Sequence, residues 1–352
     1  MADAAADDWL ASTVIEPAAA FDGVADQVLG AGVPQAAFLP ARRTAETLHW
    51  RMRDVTYVHN PGRAFRAGVK VAPTCRAVSM APDDAVIARW LAGPREAVRD
   101  ARVFCGTNRL NQNYYHQLVD IIPAVASYAA DPGFADGLLL GPNAGSVPML
   151  RAALALAGLA PPPLLAVSAI PRDFADLTFC SLLNGDAGPS RLRLSVYDRM
   201  IAGAAAAEAV LDPPRAIYVW RADSAARPMR NEDALVERLE ALGVMPVLLS
   251  GLTLAEQIRL FQAAPLVIGP HGAGLANVVF AREGAVLYEL FPSHFIDACM
   301  ARLAWLRGVH YWCDVHPAEP RPGLAINDTP WSVDIDAVVR QAETILARYD
   351  RG

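Results

Sequence analysis

The stretch Leu266-Val267-Ile268-Gly269-Pro270-His271-Gly272-Ala273-Gly274-Leu275-Ala276-Asn277 reads as an apolar strand, a glycine turn and the start of a helix. In an open parallel sheet such a junction leaves backbone N–H groups unpaired, and the helix dipole there attracts anions. Gly272 and Gly274, on either side of Ala273, would let the main chain approach a diphosphate with no side chain in the way. Glycines alone can equally serve a tight turn. His271 and Asn277 add polar groups that a plain turn does not need, so the segment is expected to form the floor of a site for the phosphates of a nucleotide-linked substrate.

The pattern extends on both sides. Ala216 to Trp220, Val244 to Leu249, Ala285 to Leu290 and Val309 to Val315 read as further strands. Between them lie helices: one capped by Asn231 with Leu235, Leu239 and Leu242 at helical spacing, and one opened by the capping box Thr253-Leu254-Ala255-Glu256. Another carries Ile296, Leu303 and Leu306. Strand and helix in alternation predict a Rossmann-like domain over residues 212–330. The last segment, 331–352, predicts an amphipathic helix with Ile335, Val338, Ala342, Ile345 and Tyr349 on one stripe, free to pack back on the N-terminal domain.

Upstream, Asp212-Pro213-Pro214 is a stiff breaker, taken as the interdomain boundary. An alanine-rich helix of about Leu192 to Val210 precedes it. Over 46–211, Arg102 to Cys105, Gly137 to Leu140, Leu164 to Ser168 and Leu177 to Ser181 read as strands, separated by helices near Gln112 to Ala130 and Val147 to Gly158. This predicts a second, mostly parallel α/β domain. A β-hairpin around Asn60-Pro61-Gly62 is expected between Trp50 and Ala72, and residues 1–45 show no periodicity and are expected to be an irregular lead-in.

The 352 residues suit two domains, and a net charge of -6 supplies no basic field for nucleic acid. The five cysteines are scattered, without a Cys-x-x-Cys pair, which argues for a reducing compartment. The acidic N-terminus does not resemble an export signal, and Pro161 to Pro163 interrupt the most apolar stretch. A cytoplasmic protein with no transmembrane segment is expected, with peripheral contact to a membrane surface still open.

Two further clusters carry chemistry. Arg221 follows the strand Ala216 to Trp220, and Arg227, Arg230, Asn231 and Glu232 stand at a helix start. Arginines at strand ends clamp phosphate with forked, charge-assisted hydrogen bonds, and a carboxylate such as Glu232 or Glu289 can accept a ribose hydroxyl. The plain alternatives are that Asn231 is only a cap, Arg230 only surface charge, and Glu289 only a strand end reaching water. After the strand ending at Cys105 comes Gly106 to Asp120, rich in asparagine and tyrosine. On a helix His116 and Asp120 are i and i+4, so the carboxylate can orient the imidazole as a general base. Metal binding is not expected. On a strand His310 and Cys313 point to opposite faces, and Asp334-Ile335-Asp336 opens the last helix, where acids complement the dipole.

Taken together, Asn113-Tyr114-Tyr115-His116-Gln117-Leu118-Val119-Asp120-Ile121-Ile122-Pro123, Tyr218 to Arg221 with Arg227 and Asn231-Glu232, Thr253 to Gln257, and Gly269 to Asn277 resemble glycosyltransferase family 61. Order and spacing match from about Val103 to Pro292. The resemblance implies a GT-B-like α/β architecture, two Rossmann-like domains facing a cleft, and inverting, metal-independent sugar transfer. Members include plant xylan xylosyl- and arabinosyltransferases and animal O-linked N-acetylglucosamine transferases of the secretory pathway. Two departures stand out: no membrane anchor is evident, and Gln117 stands where the family pattern often has tryptophan.

The expected donor is a nucleotide sugar, with a UDP-sugar favoured, held by Arg221, Arg227, Asn231, Glu232, His271, Gly272, Ala273, Gly274, Asn277 and Glu289. The expected acceptor is a glycan, polysaccharide or lipid-linked glycan, activated by His116 and Asp120 in either assignment of base and orienter, with Asn113 and Tyr115 on the acceptor side. A nucleotide-sugar epimerase, or a non-catalytic nucleotide- or glycan-binding relative, are the alternatives on the same architecture.

Overall fold

The computed structural model describes residues 9–21, 26–41, 43–74, 84–185, 188–205, 214–320 and 322–349. The chain divides into two compact units, Met1–Ala20 with Arg43–Met200, and Phe21–Arg42 with Ile201–Gly352. The expected boundary at Asp212-Pro213 lies outside the described residues, as does the end of the preceding helix, described over Arg191–Ala205.

Among its described residues the lead-in holds regular elements. Leu10–Glu16 (β1) is a strand of the first unit, and Gln27–Leu29 (β2) an edge strand of the second. β1 is mostly exposed, so it carries no alternating apolar signal; the edge it pairs with makes it a strand. Its last residue, Glu16, is buried and accepts from Ser190 Oγ (2.7 Å) and from the amides of Arg191 (2.6 Å) and Leu192 (3.2 Å). A carboxylate distant in sequence thereby satisfies the orphan donors opening the Arg191–Ala205 helix.

The first unit is built on Thr47–Val58 (β3), whose hairpin with Arg63–Arg66 (β4) is the expected one, followed by Val69–Lys70 (β5). Glu96–Val98 (β6), Val103–Cys105 (β7), Leu138–Leu140 (β8), Leu164–Leu165 (β9) and Arg172–Cys180 (β10) complete the sheet. Its order is β5-β4-β3-β10-β7-β8-β9, with β1 on β3 and β6 on β10. The expectation of a mostly parallel sheet holds only from β10 to β9. The other half is antiparallel, because the long β3 pairs on its two sides with its own hairpin arm and with β10. β7, β8 and β9 proceed outward in one direction, and β10 returns on the far side of β7. The strand order therefore reverses between β7 and β10.

The second unit is an all-parallel sheet of Ala216–Val219 (β11), Val244–Val247 (β12), Leu266–Pro270 (β13), Val286–Pro292 (β14) and His310–His316 (β15), ordered β12-β11-β13-β14-β15-β2. Every residue of β13 and β14 is buried, as befits parallel strands covered on both faces. Here the order reverses between β11 and β13. Open sheets bind ligands in the crevice at such a switch point, outside the strand C-termini.

The terminal helix Ile335–Tyr349 is part of the second unit's own core. Asp334 caps it, accepting from Ala337 N at 3.0 Å, and Val338, Ala342 and Ile345 are buried in the second unit's core with Tyr218, Leu235 and Leu239. The helix Glu232–Glu240 beside it leaves an apolar face that the amphipathic stripe covers. Ile345→Ala should therefore destabilise the second unit by about 2–5 kcal/mol in urea unfolding, whereas alanine at the exposed Glu343 should change little.

Candidate functional site

In the second unit, β11 ends one residue before Trp220 and Arg221, and β13 ends at Pro270, directly before His271. The two segments flank the switch point. Arg221 Nη1 donates to the His271 carbonyl at 2.9 Å, and Nη2 to Ser224 Oγ (2.9 Å) and the Ala226 carbonyl (2.7 Å). Arg227 Nη2 reaches the same His271 carbonyl at 3.3 Å, while Nη1 donates to Asn327 Oδ1 at 2.7 Å and the guanidinium lies over Phe295. Two cations converge on one neutral oxygen.

Neither arginine makes an ion pair among the described residues. Burial pushes the Arg221 guanidinium below its usual range, with the nearby Glu232 opposing the shift. Arg227 is lowered to about 10, by burial first and then by the Arg221 charge. Arg227 stays protonated at pH 7. Taking two like charges out of water is costly, and an anion placed between them would reverse the sign of that term. Arg227 also sits at φ +52°, left-handed for a non-glycine residue. The 327–331 segment holds it there: Arg227 N donates to the Asn327 carbonyl, and Trp331 Nε1 donates to the Arg227 carbonyl at 2.9 Å.

A pocket of about 260 Å³ opens here, lined by Arg221, Ser224, Arg227, Arg230, Glu232 and Pro270 among others. The structure thus brings three arginines of the second cluster together with Glu232 and the end of β13. Arg230 also pairs at the surface with Glu319 (3.0 Å). Glu232 is largely spent inside the fold, since its Oε1 accepts from Tyr218 Oη (2.9 Å) and Arg221 N (3.2 Å), and burial raises its pKa.

Several expected contacts take other roles. A Cβ on Gly272 would lie 3.2 Å from Arg221 Cζ, and one on Gly274 would lie 3.0 Å from Leu249 Cδ1 and 3.3 Å from Val219 Cγ1. These glycines admit the protein's own side chains. What remains for an anion are the amides of Ala273 and Gly274, in the first turn of the 3-10 helix Ala273–Phe280. Asn277 is fully buried and donates to Gln257 Oε1 (3.0 Å) and the Gly274 carbonyl (3.1 Å), locking the turn to the neighbouring helix. Asn231 occupies the N-cap position but bonds both ways to Val333, at 2.8 and 3.1 Å, and so ties the terminal segment down.

Glu289 is not a free ribose acceptor either. It is fully buried, with one oxygen 2.6 Å from His271 Nδ1 and the other accepting from Tyr311 Oη at 2.6 Å. Tyr311, Phe291 and Phe295 surround this pair, the His271 ring stacking on Phe291 with centroids 5.0 Å apart. None was legible as a site residue. The partnerships of Arg227 with Asn327 and Trp331 also lacked any local sequence signal.

In the first unit, His116 closes the short helical turn Tyr114–His116, which Asn113 caps through its side chain, and a π-turn over Gln117–Ile121 follows. Pro123 explains the π-turn: it has no N–H for the Val119 carbonyl and its ring crowds that group. The Arg191–Ala205 helix takes up the freed carbonyls. Arg193 Nε donates to Val119 O at 3.0 Å, and Tyr197 Oη to Leu118 O at 3.3 Å.

His116 Nδ1 lies 2.8 Å from Asp120 Oδ2, as the i, i+4 spacing predicts. Asp120 is fully buried, and its Oδ2 also accepts from Asn108 Nδ2 at 3.1 Å. Asn108 comes from the loop after β7 and donates as well to Leu183 O (3.3 Å), just beyond β10. The pair therefore stands at the first unit's switch point. Of the acceptor-side candidates, Asn113 is exposed, while Tyr115 is buried with its ring edge-on to His116. Gln117 is buried with its Oε1 unbonded among the described residues.

Three outcomes test this geometry. Asn108→Ala, which strips a buried carboxylate of one donor, should cost about 1–3 kcal/mol, read by chemical denaturation. Arg227→Met should leave the melting temperature in anion-free buffer unchanged or higher, yet weaken pyrophosphate binding tenfold or more. Wild-type pyrophosphate affinity should fall as pH rises through about 10, where Arg227 loses its proton. Unaltered pyrophosphate binding in Arg227→Met would show that the paired cations are not an anion site.

Residues 114–288, about half of the chain, match the family model for glycosyltransferase 61. The EGF domain-specific O-linked N-acetylglucosamine transferase of Gallus gallus is 33% identical over 90 residues, 24% of this chain and 17% of that protein. Its namesakes from Xenopus laevis, 30% identical over 143 residues, and Drosophila melanogaster, 32% over 140, align with 36% and 35% of this chain and 27% of their own lengths. The chain spans about a quarter or less of these relatives. No helix among the described residues is long and apolar enough to cross a membrane. With the family match running from the turn of His116 through the second switch point to Tyr288, this chain belongs to glycosyltransferase family 61.

Proposed function

We propose that the protein is an inverting, metal-independent glycosyltransferase that moves a sugar from a nucleotide-sugar donor, a UDP-sugar by preference, to a glycan, polysaccharide or lipid-linked acceptor. The observation that carries this reading is the convergence of Arg221 and Arg227, two partly desolvated cations that form no salt bridge among the described residues, on the switch point of a parallel sheet. A diphosphate supplies the missing negative charge in forked geometry. The first-turn amides of Ala273 and Gly274 offer further donors beside it. Arginines and amides then stabilise the leaving diphosphate as charge develops on it, the part a divalent cation plays in other sugar transferases.

Inversion requires one in-line displacement. The acceptor oxygen bonds to the anomeric carbon as the bond to the diphosphate breaks, and the hydroxyl proton must go to a base. His116 suits that role. With Nδ1–H donated to Asp120, the imidazole keeps a lone pair on Nε2 for the acceptor proton. Asn108 and Asp120 hold the tautomer, so we assign the base to His116 and its orientation to Asp120. Donor groups in the second unit and base in the first accord with a GT-B-like organisation, and a cytoplasmic setting fits the scattered free thiols.

A thermal-shift panel of UDP, GDP, CDP and dTDP should give one or more positive shifts, since a ligand that binds only the folded state stabilises it. No shift with any nucleotide would remove the reading. His116→Ala should reduce transfer by about 10²-fold or more with the nucleotide shift retained; near-normal turnover would overturn the base assignment. Product analysis with donor alone separates transfer from epimerisation, which needs no acceptor.

A further inference from the structure

We propose that an open cleft of about 1050 Å³ in the first unit is an acceptor-glycan site, in which Trp90 stacks on a sugar ring and the amides of Asn60, Gln112 and Asn113 read its hydroxyls. The inference rests on the glycosyl-transfer reading and names the acceptor side of that reaction. The cleft is at the upper end of the ~300–1000 Å³ typical of small-molecule pockets, which matches an elongated oligosaccharide better than a single sugar.

Its walls come from separate segments drawn to one place. The β3–β4 turn contributes His59 and Asn60, the loop after β7 Arg109 to Asn113, and the segment after β8 Asn143. Asn111, 1% exposed, fastens them together: its Nδ2 donates to Asn108 O at 2.7 Å and lies 3.3 Å from His59 Nε2, while its Oδ1 accepts from Asn143 N at 3.0 Å. Trp90, on the helix Asp84–Ala92, is anchored by packing against Val58, Phe65 and Ile87. A rigid aromatic platform beside preformed amides limits the entropy lost on binding.

The chemistry of the lining selects the ligand. Each carboxamide is both donor and acceptor, which complements the paired hydroxyls of a sugar ring. No Asp or Glu lines the cleft among the described residues, and its ionisable groups are Arg109 and His59. Burial lowers His59, so its ring is neutral at pH 7. Neutral or acidic saccharides fit, and free amines do not. Asn113 is both a wall of the cleft and the cap of the turn carrying His116, three residues or about 5 Å along a helix axis from the proposed base.

Saturation-transfer NMR on the full chain, with xylotriose, cellotriose, triacetylchitotriose and trigalacturonate as probes, tests the site alongside the nucleotide thermal-shift panel. At least one trisaccharide should bind, with affinity reduced tenfold or more by Trp90→Ala and by Asn60→Ala, the latter at an exposed turn position that does not threaten folding. Trp90→Phe should keep most of the binding, and nucleotide shifts should be unchanged in all three variants. Failure of every probe to bind a protein that binds nucleotide, or binding that survives both alanine substitutions, would overturn the proposal. Trisaccharide binding through Trp90 without any nucleotide shift would uphold the cleft and remove the donor reading instead.

Discussion

The carbonyl of His271 receives two guanidinium groups, and much of the second unit is arranged so that it can. β13 ends at Pro270, which puts that carbonyl at the C-terminal end of the strands, and the missing Cβ of Gly272 lets Arg221 lie close against the turn. Arg227 must accept a left-handed backbone, which the 327–331 segment enforces from a hundred residues away. Fold stability alone does not call for this arrangement, because desolvated like charges oppose folding. Strain and repulsion concentrated at one point are what a site prepared for an anion would carry.

Both units follow one topological rule. In each, strands proceed outward and a later strand returns on the other side of the first, leaving a crevice between adjacent C-termini. In the second unit the crevice holds the arginines; in the first it holds Asn108, Asp120 and His116. The supporting groups differ in kind. The arginines are held by neutral oxygens, which position a charge without neutralising it, whereas the histidine is held by a carboxylate, which can fix its tautomer. Each support matches the chemistry proposed for the group it holds.

Much of this was legible locally. The capping box at Thr253 and Glu256, the β3–β4 hairpin, the strands β7, β8, β11 and β13, and the i, i+4 relation of His116 to Asp120 depend on residues a few positions apart. The glycine turn is legible locally, but that its missing side chains also make room for Arg221, Leu249 and Val219 is not, because only the packed structure brings those groups near. Asn231, Asn277 and Glu289 read as strand- or helix-end residues, where the sequence alone does not separate a ligand group from a structural one. Each has a partner 18 to 102 residues distant.

The amino-acid sequence by itself determined where most strands and helices outside the N-terminal segment form, which strand ends carry arginines, and that an imidazole and a carboxylate share a helix face. Those features follow from periodicity and spacing along one chain. Tertiary structure alone decided that the N-terminal segment supplies strands to both units, that the terminal helix covers the second unit's own sheet, and which polar groups at the switch points are already paired. The physical reason is that hydrogen-bond satisfaction and burial are properties of the whole packed interior. A residue's capacity to bind a ligand depends on what remains after its neighbours, near and remote, have taken their share.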